Sequence, residues 1–371
     1  YGGPIYSVHG LCKALARQGH DVHVFTTNMD GAGESDVPVE TPVAIDGVYV
    51  HYYRATRLRR LAWTPRMLLG LSKLLDEQAA QTVLHMHLLF TFPTTAVAQL
   101  ARVRGVPYVI SPRGVLVREL LRRKSYWVKT FWLRAFDARS LAGAARIHVT
   151  SDTELRELSA FGLRIAATIL APNGVDTPPV LAADGGMLEL SEPYGLFLGR
   201  ISWKKGLDRA LRALVHTQAR LLIVGGDDEG LQPALEREAL QLGVTERIEF
   251  LGQRDGAQKW QLLRNARFLI LPSYNENFGN VVAEAMAVRC PVIVTPEVGA
   301  AEIVRRAGAG IVAEGDAATL GAAMERLWTR GEDREQFGFA GAEYVREHLS
   351  WDAIARVFAQ EYAEILRASG R

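Results

Sequence analysis

The sequence predicts an α/β protein with two doubly wound parallel sheets, and three observations support this. Short apolar runs alternate with helical patterns along the chain, as in parallel sheets covered by helices on both faces. The alternation restarts after residues 175–193, a stretch rich in proline and glycine. The length of 371 residues allows two domains with separate cores. We therefore expect domains over residues 1–175 and 190–350, with a final helix over 351–371.

The strands are expected where short apolar runs are bounded by turn residues. In the first domain we predict strands at residues 20–26, 48–53, 82–87, 108–111, 146–150 and 168–171. In the second domain we predict strands at residues 196–198, 221–224, 248–251, 268–271 and 292–294. Helical patterns fill most of the intervals, so consecutive strands are expected to run parallel.

The chain opens with Tyr1-Gly2-Gly3-Pro4, which is similar to the glycine loop that follows the first strand of such a domain. No strand-like run precedes it, so we expect either an irregular first sheet or a beginning that lacks its first strand. Gly2 and Gly3 would let backbone amides approach an anion, and a simple turn is the alternative.

The composition indicates a globular protein, because 48% of the residues are hydrophobic. The net charge of only +2 gives no reason to expect nucleic-acid binding. The two cysteines, Cys12 and Cys290, are too few for a disulfide framework or a metal site, and they suit a reducing cytoplasm. We find no run of about eighteen apolar residues and no signal-peptide pattern, so we predict neither a transmembrane helix nor secretion.

Residues 273–287, SYNENFGNVVAEAMA, join the end of a buried strand to the start of a helix. Free amides at such a helix start favour a phosphate or a pyrophosphate. Glu276 precedes the helix and Glu284 lies about two turns further on, at roughly 1.5 Å per residue, so the two carboxylates can bracket a ligand. The alternative is that Glu276 complements the helix dipole and Glu284 is a solvated residue.

A group of cations is predicted at the same edge of the second sheet. Gly199-Arg200 ends a buried strand, and Lys204-Lys205-Gly206 opens the next helix. Open α/β sheets bind ligands at the carboxyl ends of their strands. A guanidinium and an ammonium there can stabilise a departing phosphate, whereas a solvated basic face is the alternative.

These residues resemble the motifs of the retaining glycosyltransferases of family 4, in which Glu, seven residues and Glu precede Ala-Met-Ala; Glu276 and Glu284 match that spacing. The resemblance implies the GT-B fold, with two Rossmann-like domains facing a cleft and a C-terminal helix that crosses back to the first domain. It also implies a nucleotide-sugar donor, a UDP-sugar or a GDP-sugar, with no metal and no other cofactor.

The same resemblance implies the roles of the site residues. Glu276, Arg200 and Lys205 are expected to be catalytic, because the glutamate contacts the donor sugar and the two cations contact the diphosphate. Glu284 is expected to hold the ribose hydroxyls. The remaining donor contacts are expected from the helix start, at Asn277, Phe278, Gly279, Asn280 and Val281.

In the first domain, many members of that family have a histidine after the strand at 108–111, where this chain has Arg113. A guanidinium cannot mimic a neutral imidazole, so we expect Arg113 to touch a donor phosphate or an anionic acceptor instead. Gly3 is expected to approach the diphosphate through its backbone.

Three other patterns receive structural interpretations. His85 and His87 alternate with apolar neighbours and are interpreted as hydrogen-bonded strand residues rather than ligands. Asp227-Asp228-Glu229 is interpreted as a polar loop near the nucleotide rather than a metal site. Residues 172–176 are interpreted as a tight turn in which Gly174 takes a positive φ.

A basic and aromatic segment is the candidate for contact with the acceptor side. Its basic residues are Arg118, Arg122, Arg123, Lys124, Lys129, Arg134 and Arg139, and its aromatic residues are Tyr126, Trp127, Phe131, Trp132 and Phe136. Either the aromatic stripe belongs to the domain core, or the segment binds an anionic membrane surface where lipid-linked acceptors reside. Residues 54–66, with five arginines and Trp63, add a second basic stretch.

We therefore expect a sugar transfer that retains the anomeric configuration, from a nucleoside diphosphate to a glycan or a polyprenyl-linked acceptor. Cell-surface polysaccharide or glycolipid synthesis is the expected setting, in the cytoplasm or peripherally at the inner face of the cell membrane. The alternatives are a nucleotide-sugar epimerase on the same scaffold and a non-catalytic protein that binds nucleotide sugars. An NAD-dependent dehydrogenase is disfavoured, because no G-x-G-x-x-G opens a βαβ unit.

Overall fold

The computed structural model describes residues 3–31, 33–55, 58–117, 126–176, 178, 188, 190 and 192–370. The chain divides into two compact units. Unit 1 consists of Tyr1–Pro172 and Trp351–Arg371, and unit 2 consists of Asn173–Ser350. The polypeptide therefore leaves unit 1 once and returns to it with its last helix. Most of the predicted hinge segment, 175–193, lies outside the described residues.

The described strands of unit 1 form two main sheets and a short hairpin. In chain order they are β1 (His23–Thr27), β2 (Met29–Asp30), β3 (Gly33–Glu34), β4 (Pro42–Ile45), β5 (Val48–Tyr53), β6 (Leu84–His87), β7 (Tyr108–Ser111), β8 (Arg146–Val149) and β9 (Thr168–Leu170). In the first sheet β5 lies between β1, to which it is parallel, and the antiparallel β4. In the second sheet β6, β7, β8 and β9 lie parallel in chain order. The six predicted strands are present, whereas β2, β3 and β4 were not predicted.

Helices of unit 1 connect these strands. Before the chain enters unit 2 they are α1 (Gly3–Arg17), α2 (Pro65–Gln78), α3 (Phe92–Arg104), α4 (Tyr126–Trp132), α5 (Ala138–Ala142) and α6 (Asp152–Ser159). A π-helical turn, Leu133–Asp137, joins α4 to α5. The side chain of Ser151 caps α6 by accepting a hydrogen bond from the amide of Glu154, at 3.1 Å.

Unit 2 contains one six-stranded parallel sheet. Its strands are β10 (Gly195–Leu198), β11 (Leu221–Val224), β12 (Ile248–Gly252), β13 (Phe268–Leu271), β14 (Val292–Val294) and β15 (Gly310–Val312). They lie in the order β12-β11-β10-β13-β14-β15. The chain thus builds outward from β10 on one side and then from β13 on the other, which is the order of a doubly wound sheet. Five of these strands were predicted, and the edge strand β15 was not.

The helices of unit 2 cover both faces of its sheet, since β11 and β13 are buried at every position, as parallel strands between helical layers should be. In chain order they are α7 (Leu207–Ala213), α8 (Gln232–Leu242), α9 (Gly256–Asn265), α10 (Asn280–Ala287), α11 (Ala301–Ala307), α12 (Ala317–Thr329) and α13 (Gly331–Tyr344). A π-helical turn, Val345–Leu349, ends the unit.

The last helix, α14 (Trp351–Ala368), belongs to unit 1. Its apolar face, which includes Phe358 at 1% exposure, forms one hydrophobic cluster with Leu11 of α1 and with Val109 of β7. Gly10 of α1 is required there, because a Cβ at that position would lie 2.2 Å from Cε2 of Trp351. The helix is therefore an integral part of the core of unit 1.

A chain of hydrogen bonds crosses the sheet beneath α14. It links Tyr362 Oη to His85 Nδ1, His85 Nε2 to Ser111 Oγ, and Ser111 Oγ to His148 Nδ1, each at 2.6 Å, and it ends with His148 Nε2 at 2.9 Å from the carbonyl oxygen of Ala171. A carbonyl only accepts, so His148 Nε2 donates to Ala171. Nδ1 of the neutral His148 ring must then accept, so Ser111 donates to it. By the same reasoning His85 donates to Ser111, and Tyr362 donates to His85.

The orientation requires neutral imidazoles at His85 and His148, and burial supplies the reason. It lowers the pKa of His148 to about 3 and holds the pKa of His85 well below its ordinary value. The interpretation of His85 as a hydrogen-bonded strand residue is confirmed.

Candidate functional site

The predicted site residues of unit 2 lie after two neighbouring strands. Arg200 and Lys205 follow β10, and Glu276 and Glu284 follow β13. These strands are hydrogen-bonded to each other at the point where the strand order changes direction. A doubly wound sheet has a crevice at that point, outside the carboxyl ends of the strands.

Lys205 and Glu276 are in direct contact although they are 71 residues apart in the sequence. The ammonium of Lys205 donates a short hydrogen bond to Oε2 of Glu276. The two side chains are only 18% and 21% exposed, so this ion pair is shielded from bulk water. The structure thus brings together one predicted cation and one predicted carboxylate.

Gly206 allows this contact by bringing the loops after β10 and β13 close together. Its φ of +67° lies in the left-handed region, and a Cβ there would lie 2.1 Å from the carbonyl oxygen of Pro272. No residue with a side chain fits that gap without moving the backbone. The Lys-Lys-Gly sequence therefore includes a glycine that the close approach requires.

Glu284 is paired with a residue that we did not predict. Nζ of Lys259, on α9, lies 3.1 Å from Oε1 of Glu284, on α10, and both side chains are 23% exposed. A signal was present in the sequence, because Lys259 falls in the first turn of a helix, where a cation opposes the helix dipole. A lysine at such a position is stabilised when a carboxylate lies nearby.

Arg200 has a different environment from Lys205. Its Nη1 lies 3.9 Å from Oδ2 of Asp228, and the two side chains are 71% and 67% exposed. An ion pair that is so exposed and so long contributes little to stability. Arg200 therefore lies at the predicted edge of the sheet with most of its guanidinium in water.

The loop that carries Glu276 is fixed by backbone hydrogen bonds to the loop after β14. The amide of Glu276 donates to the carbonyl of Glu297 at 3.2 Å, and the carbonyl of Glu276 accepts from Gly299 at 2.8 Å. The carbonyl of Phe278 accepts from Ala300 at 2.8 Å, and the phenyl ring is buried. These bonds fix the backbone that carries the Glu276 side chain.

The start of α10 has the geometry that the motif predicts. Gly279 caps the helix with φ of +90°, and α10 begins at Asn280. The free amides of this first turn lie at and after Asn280, beside the buried Val281. Asn277 lies in the preceding loop and is half-buried. The five predicted helix-start residues therefore occupy one continuous turn.

The segment 172–176 was interpreted incorrectly. Gly174 is not among the positive-φ glycines of the described residues, so the predicted tight turn is wrong. The segment is extended instead, because the amide of Val175 donates to the carbonyl of Leu349 at 2.8 Å. Asn173 donates through Nδ2 to Oδ1 of Asn280 at 2.9 Å, so this segment supports the start of α10.

Arg209 on α7 is a second residue that sequence reasoning missed. Its Nη1 lies 3.4 Å from the carbonyl oxygen of Pro272 and 3.3 Å from that of Ser273, and its Nη2 lies 3.4 Å from Glu297. The guanidinium also stacks on the ring of Tyr274, 3.8 Å from the centroid. Arg209 therefore ties the helix after Lys205 to the loop before Glu276.

The acidic segment 227–229 is a structural loop, as predicted. The carboxylate of Asp227 accepts from the amides of Leu231 and Gln232 at 2.8 and 2.9 Å, which holds the pKa of Asp227 below its usual value. The carboxylate of Glu229 accepts from the amide of Trp203, in the turn that contains Lys205. Within the described residues, no group of three or more His, Cys, Asp or Glu residues is arranged to hold a metal ion.

In unit 1, Arg113 is held by a histidine. The residue has φ of +59°, and its Nε and Nη2 each lie 3.3 Å from Nδ1 of His87. Burial keeps the pKa of His87 well below its ordinary value, so its neutral ring accepts from the guanidinium. Gly114 is fixed by Glu154, whose Oε1 accepts from its amide at 2.7 Å. Gly3 is the first residue of α1, and Gly2 lies outside the described residues.

The aromatic residues on α4 and the following π-helical turn are largely exposed. Trp127 is 81% exposed and Phe131 is 68% exposed, with Tyr126, Val128 and Phe136 also in contact with water. We call these five residues the aromatic patch. Their exposure contradicts the interpretation of the stripe as domain core. Lys129, Arg134 and Arg139 lie on the same segment, whereas the predicted basic residues at 118–124 lie outside the described residues.

The second basic stretch is partly neutralised. Arg66 pairs with Glu40 at 2.8 Å, and Arg59 lies 3.9 Å from Glu34. Trp63 packs on Phe92 with 4.2 Å between ring centroids. The stretch at 54–66 therefore contributes less net charge than its arginines suggest. Across the parts of the chain that the structure describes, no helix is long and apolar enough to span a membrane.

Two family models match the chain, one over each half. The Glycosyl transferase 4-like domain matches residues 2–174, and the family Glycosyl transferases group 1 matches residues 187–344. The interval between the two matches falls in the predicted hinge segment, 175–193.

Similar proteins agree with these matches. The glycogen synthase of Mycobacterium tuberculosis is 29% identical over 97% of this chain and 91% of its own length. The phosphatidyl-myo-inositol mannosyltransferase of Mycobacterium leprae is 34% identical over 54% of each chain. The structure of the Anabaena protein HepE in complex with UDP-glucose has a TM-score of 0.70, with 18% identity over 99% of this chain and 96% of that chain. The predicted fold class is confirmed.

Proposed function

We propose that the chain is a glycosyltransferase of the GT-B type and that it transfers a hexose-type sugar from a nucleoside diphosphate to a glycan or a lipid-linked acceptor. The main support is the contact between Lys205 and Glu276 at the crevice of unit 2. The cation of this pair would suit a phosphate, and the carboxylate beside it would suit sugar hydroxyls. The UDP-glucose bound to HepE supports a UDP-sugar donor, and a GDP-sugar is the alternative.

The departing diphosphate is the group that the cations of the site would stabilise. When the bond between the sugar carbon and the phosphate oxygen breaks, negative charge develops on that oxygen. Lys205, Arg200 and the free amides at the start of α10 would balance this charge. Because the side chain of Arg200 is mostly exposed, its guanidinium is accessible to a phosphate. We propose that these groups serve in place of a metal ion.

The two glutamates would orient the other parts of the donor. A carboxylate accepts hydrogen bonds from hydroxyl groups, whereas its negative charge repels a phosphate. Glu276, beside Lys205, would hold the sugar, and Glu284 would hold the ribose. The rigid backbone from Asn277 to Val281 would complete the donor site. The donor contacts predicted for Arg113 and Gly3, which belong to unit 1, stay predictions.

We propose that the configuration at the sugar carbon is retained. The acceptor oxygen would bond to that carbon on the face from which the diphosphate leaves, and its proton would pass to a phosphate oxygen of the donor. This scheme needs no base from the protein. Proton NMR of the first product formed tests it, since an inverted anomeric signal would refute retention.

The central experiment measures transfer and donor hydrolysis with a panel of UDP-sugars and GDP-sugars, with and without a chelator. Lys205→Ala is expected to lower turnover by about a hundredfold or more, because a charge aimed at the leaving group is lost. Lys73→Ala, at an exposed position on α2, is the matched control and should be unaffected. Near-normal turnover in Lys205→Ala would remove this residue from the mechanism.

The same panel separates the alternative functions. Conversion of the donor sugar without an acceptor would indicate an epimerase. Binding of a nucleotide sugar with no turnover under any condition would indicate a non-catalytic binding protein. Loss of turnover on adding chelator would refute the proposal that the protein's own cations suffice.

We further propose that unit 1 contacts an anionic membrane surface through the aromatic patch. Exposed Trp and Phe side chains insert into the headgroup region, and neighbouring Lys and Arg residues are attracted to anionic lipids. The mannosyltransferase from Mycobacterium leprae has a phospholipid in its name, which supports a lipid-linked acceptor here. Such an acceptor resides at the surface that the patch would contact.

Sedimentation with vesicles tests this proposal. We expect binding to vesicles that contain anionic lipid, with a decrease at high salt, and much weaker binding to neutral vesicles. Changing Trp127 and Phe131 to Ser should weaken the binding about tenfold or more, because each large side chain loses its apolar burial. Leu240→Ser, at an exposed position of unit 2, is the control. Equal recovery in the unbound fraction with both lipid types would refute the proposal.

A further inference from the structure

Lys259 is a partly buried cation at the edge of the same crevice, and the roles proposed above do not use it. Its ammonium lies 3.1 Å from Oε1 of Glu284 and 4.6 Å from the ring centroid of Trp260. The indole of Trp260 is 7% exposed and therefore fixed in the core. The lysine side chain is thus confined between a buried ring and one carboxylate.

The position of Lys259 in α9 is unfavourable for a lysine on its own. It is the fourth residue of the helix, at the positive end of the helix dipole, where a carboxylate would be the favoured residue. The contact with Glu284 compensates for this, and it also restrains Glu284. Without a partner, the long glutamate side chain would sample several rotamers at a cost in entropy when it binds a ligand.

We propose that Lys259 is a positioning residue that holds the carboxylate of Glu284 ready for the ribose hydroxyls of the donor. The inference rests on the proposed function, since it deepens the role of Glu284. Oε1 is engaged by Lys259, so the second oxygen and the remaining lone pairs are the groups that accept from the ribose. Lys259 itself touches neither the sugar nor the phosphates in this scheme.

The prediction is a loss of selectivity for ribose rather than a general loss of affinity. Calorimetric titrations would compare UDP with 2′-deoxy-UDP and GDP with 2′-deoxy-GDP, using the full chain. The unaltered protein is expected to bind the ribonucleotide about tenfold or more tightly than its deoxy analogue, since a hydroxyl bonded to a carboxylate is lost. In Lys259→Met this ratio should fall to about threefold or less, while the affinity for the deoxy analogue changes by less than about twofold.

Three further single variants and one double variant control this measurement. Arg264→Met removes a cation from an exposed position of the same helix and should leave the ratio unchanged. Lys259→Arg keeps the charge and should restore most of the ratio. Glu284→Gln should lower the ratio by itself, and adding Lys259→Met to it should lower the ratio no further. Melting temperatures of all variants identify any that fail to fold, and Lys259→Gln, which also removes the charge, replaces Lys259→Met if that variant does not fold.

Several outcomes would overturn the inference. Equal weakening of both nucleotides in Lys259→Met would mean that the lysine contacts the diphosphate or the base. An unchanged ratio would mean that Glu284 needs no support. If the unaltered protein binds UDP or GDP but shows no preference for ribose, the role of Glu284 fails while the donor site stands. If it binds neither nucleotide, the proposed function itself fails.

Discussion

If Lys205 binds the donor diphosphate as proposed, its ion pair with Glu276 competes with the donor. In the proposed donor site, the ammonium of Lys205, now bonded to Glu276, would turn to a phosphate when a nucleotide binds. Glu276→Gln removes the competing charge but keeps the shape of the side chain. We therefore expect this variant to bind a nucleoside diphosphate more tightly, although it should transfer sugar poorly.

The magnitude follows from the geometry of the pair. Two unit charges about 4 Å apart attract by about 4 kcal/mol at an effective dielectric constant of about 20. The side chains keep 18% and 21% exposure, and desolvation offsets part of the attraction. A net restraint of about 1–2 kcal/mol remains, which corresponds to roughly five- to thirtyfold tighter binding.

Calorimetry with UDP and GDP measures this effect, at low and at moderate salt. Glu284→Gln is the contrasting variant, because it removes a carboxylate that should hold the nucleotide and so should weaken binding. The gain in Glu276→Gln should be accompanied by a loss of turnover of about a hundredfold, as the sugar loses its charged acceptor. Equal or weaker nucleotide binding in Glu276→Gln would refute the idea that this pair restrains Lys205.

Two predictions concern stability. Gly225→Ala should lower the free energy of urea unfolding by about 2 kcal/mol or more, because its Cβ would lie 1.9 Å from the carbonyl oxygen of Gly199. Gly230→Ala is the control and should lower it by only about 1 kcal/mol, because no atom lies near its Cβ. Equal losses in the two variants would contradict this reasoning. The free energy of unfolding should also fall as the pH falls below about 6.5. Burial lowers the pKa of His148 in the folded protein to about 3, so below pH 6.5 the unfolded chain binds more protons than the folded protein. The loss is roughly 2–3 kcal/mol at pH 4.5. His85 and His87 act in the same direction, because burial also lowers their pKa. Asp137 opposes them in part, because burial raises its pKa to about 6. Unfolding midpoints that stay constant from pH 7 to 4.5 would contradict the prediction.

The sequence was sufficient to predict the parallel strands because each is a short apolar run that stands out from its neighbours. It was insufficient for β4 and β15, which lie at sheet edges and have few buried positions. A strand with one open side needs less apolar character, so its pattern is weak. The doubly wound order of unit 2 followed from the alternation of strands and helices.

Within the site, the residues that could be predicted are those attached to strand ends. Parallel strands place their carboxyl ends at one edge, so Lys205 and Glu276 were expected to lie close together. Lys259 and Arg209 were missed because they lie on helices, where a sequence pattern does not reveal which residue distant in the sequence a side chain contacts. The prediction of a turn at Gly174 was wrong because Val175 pairs with Ser350. The local sequence does not reveal a partner so far along the chain.

The exposure of the aromatic patch could not be decided from periodicity alone. A stripe of aromatic residues on a helix looks the same whether it faces a core or a membrane. The outcome depends on what the rest of the domain offers as a partner. Leu133, in the π-helical turn, is buried in the core of unit 1, whereas Trp127 and Phe131 on α4 are exposed.

The return of the last helix to unit 1 has a consequence for biosynthesis. Phe358 completes the apolar cluster against α1, and Tyr362 starts the hydrogen-bond chain across the sheet. A ribosome makes both residues only after all of unit 2 has been synthesised, so the first unit to begin folding is the last to finish. Nascent chains halted before residue 351 should therefore expose the surface that α14 covers, and they are the natural clients of a chaperone.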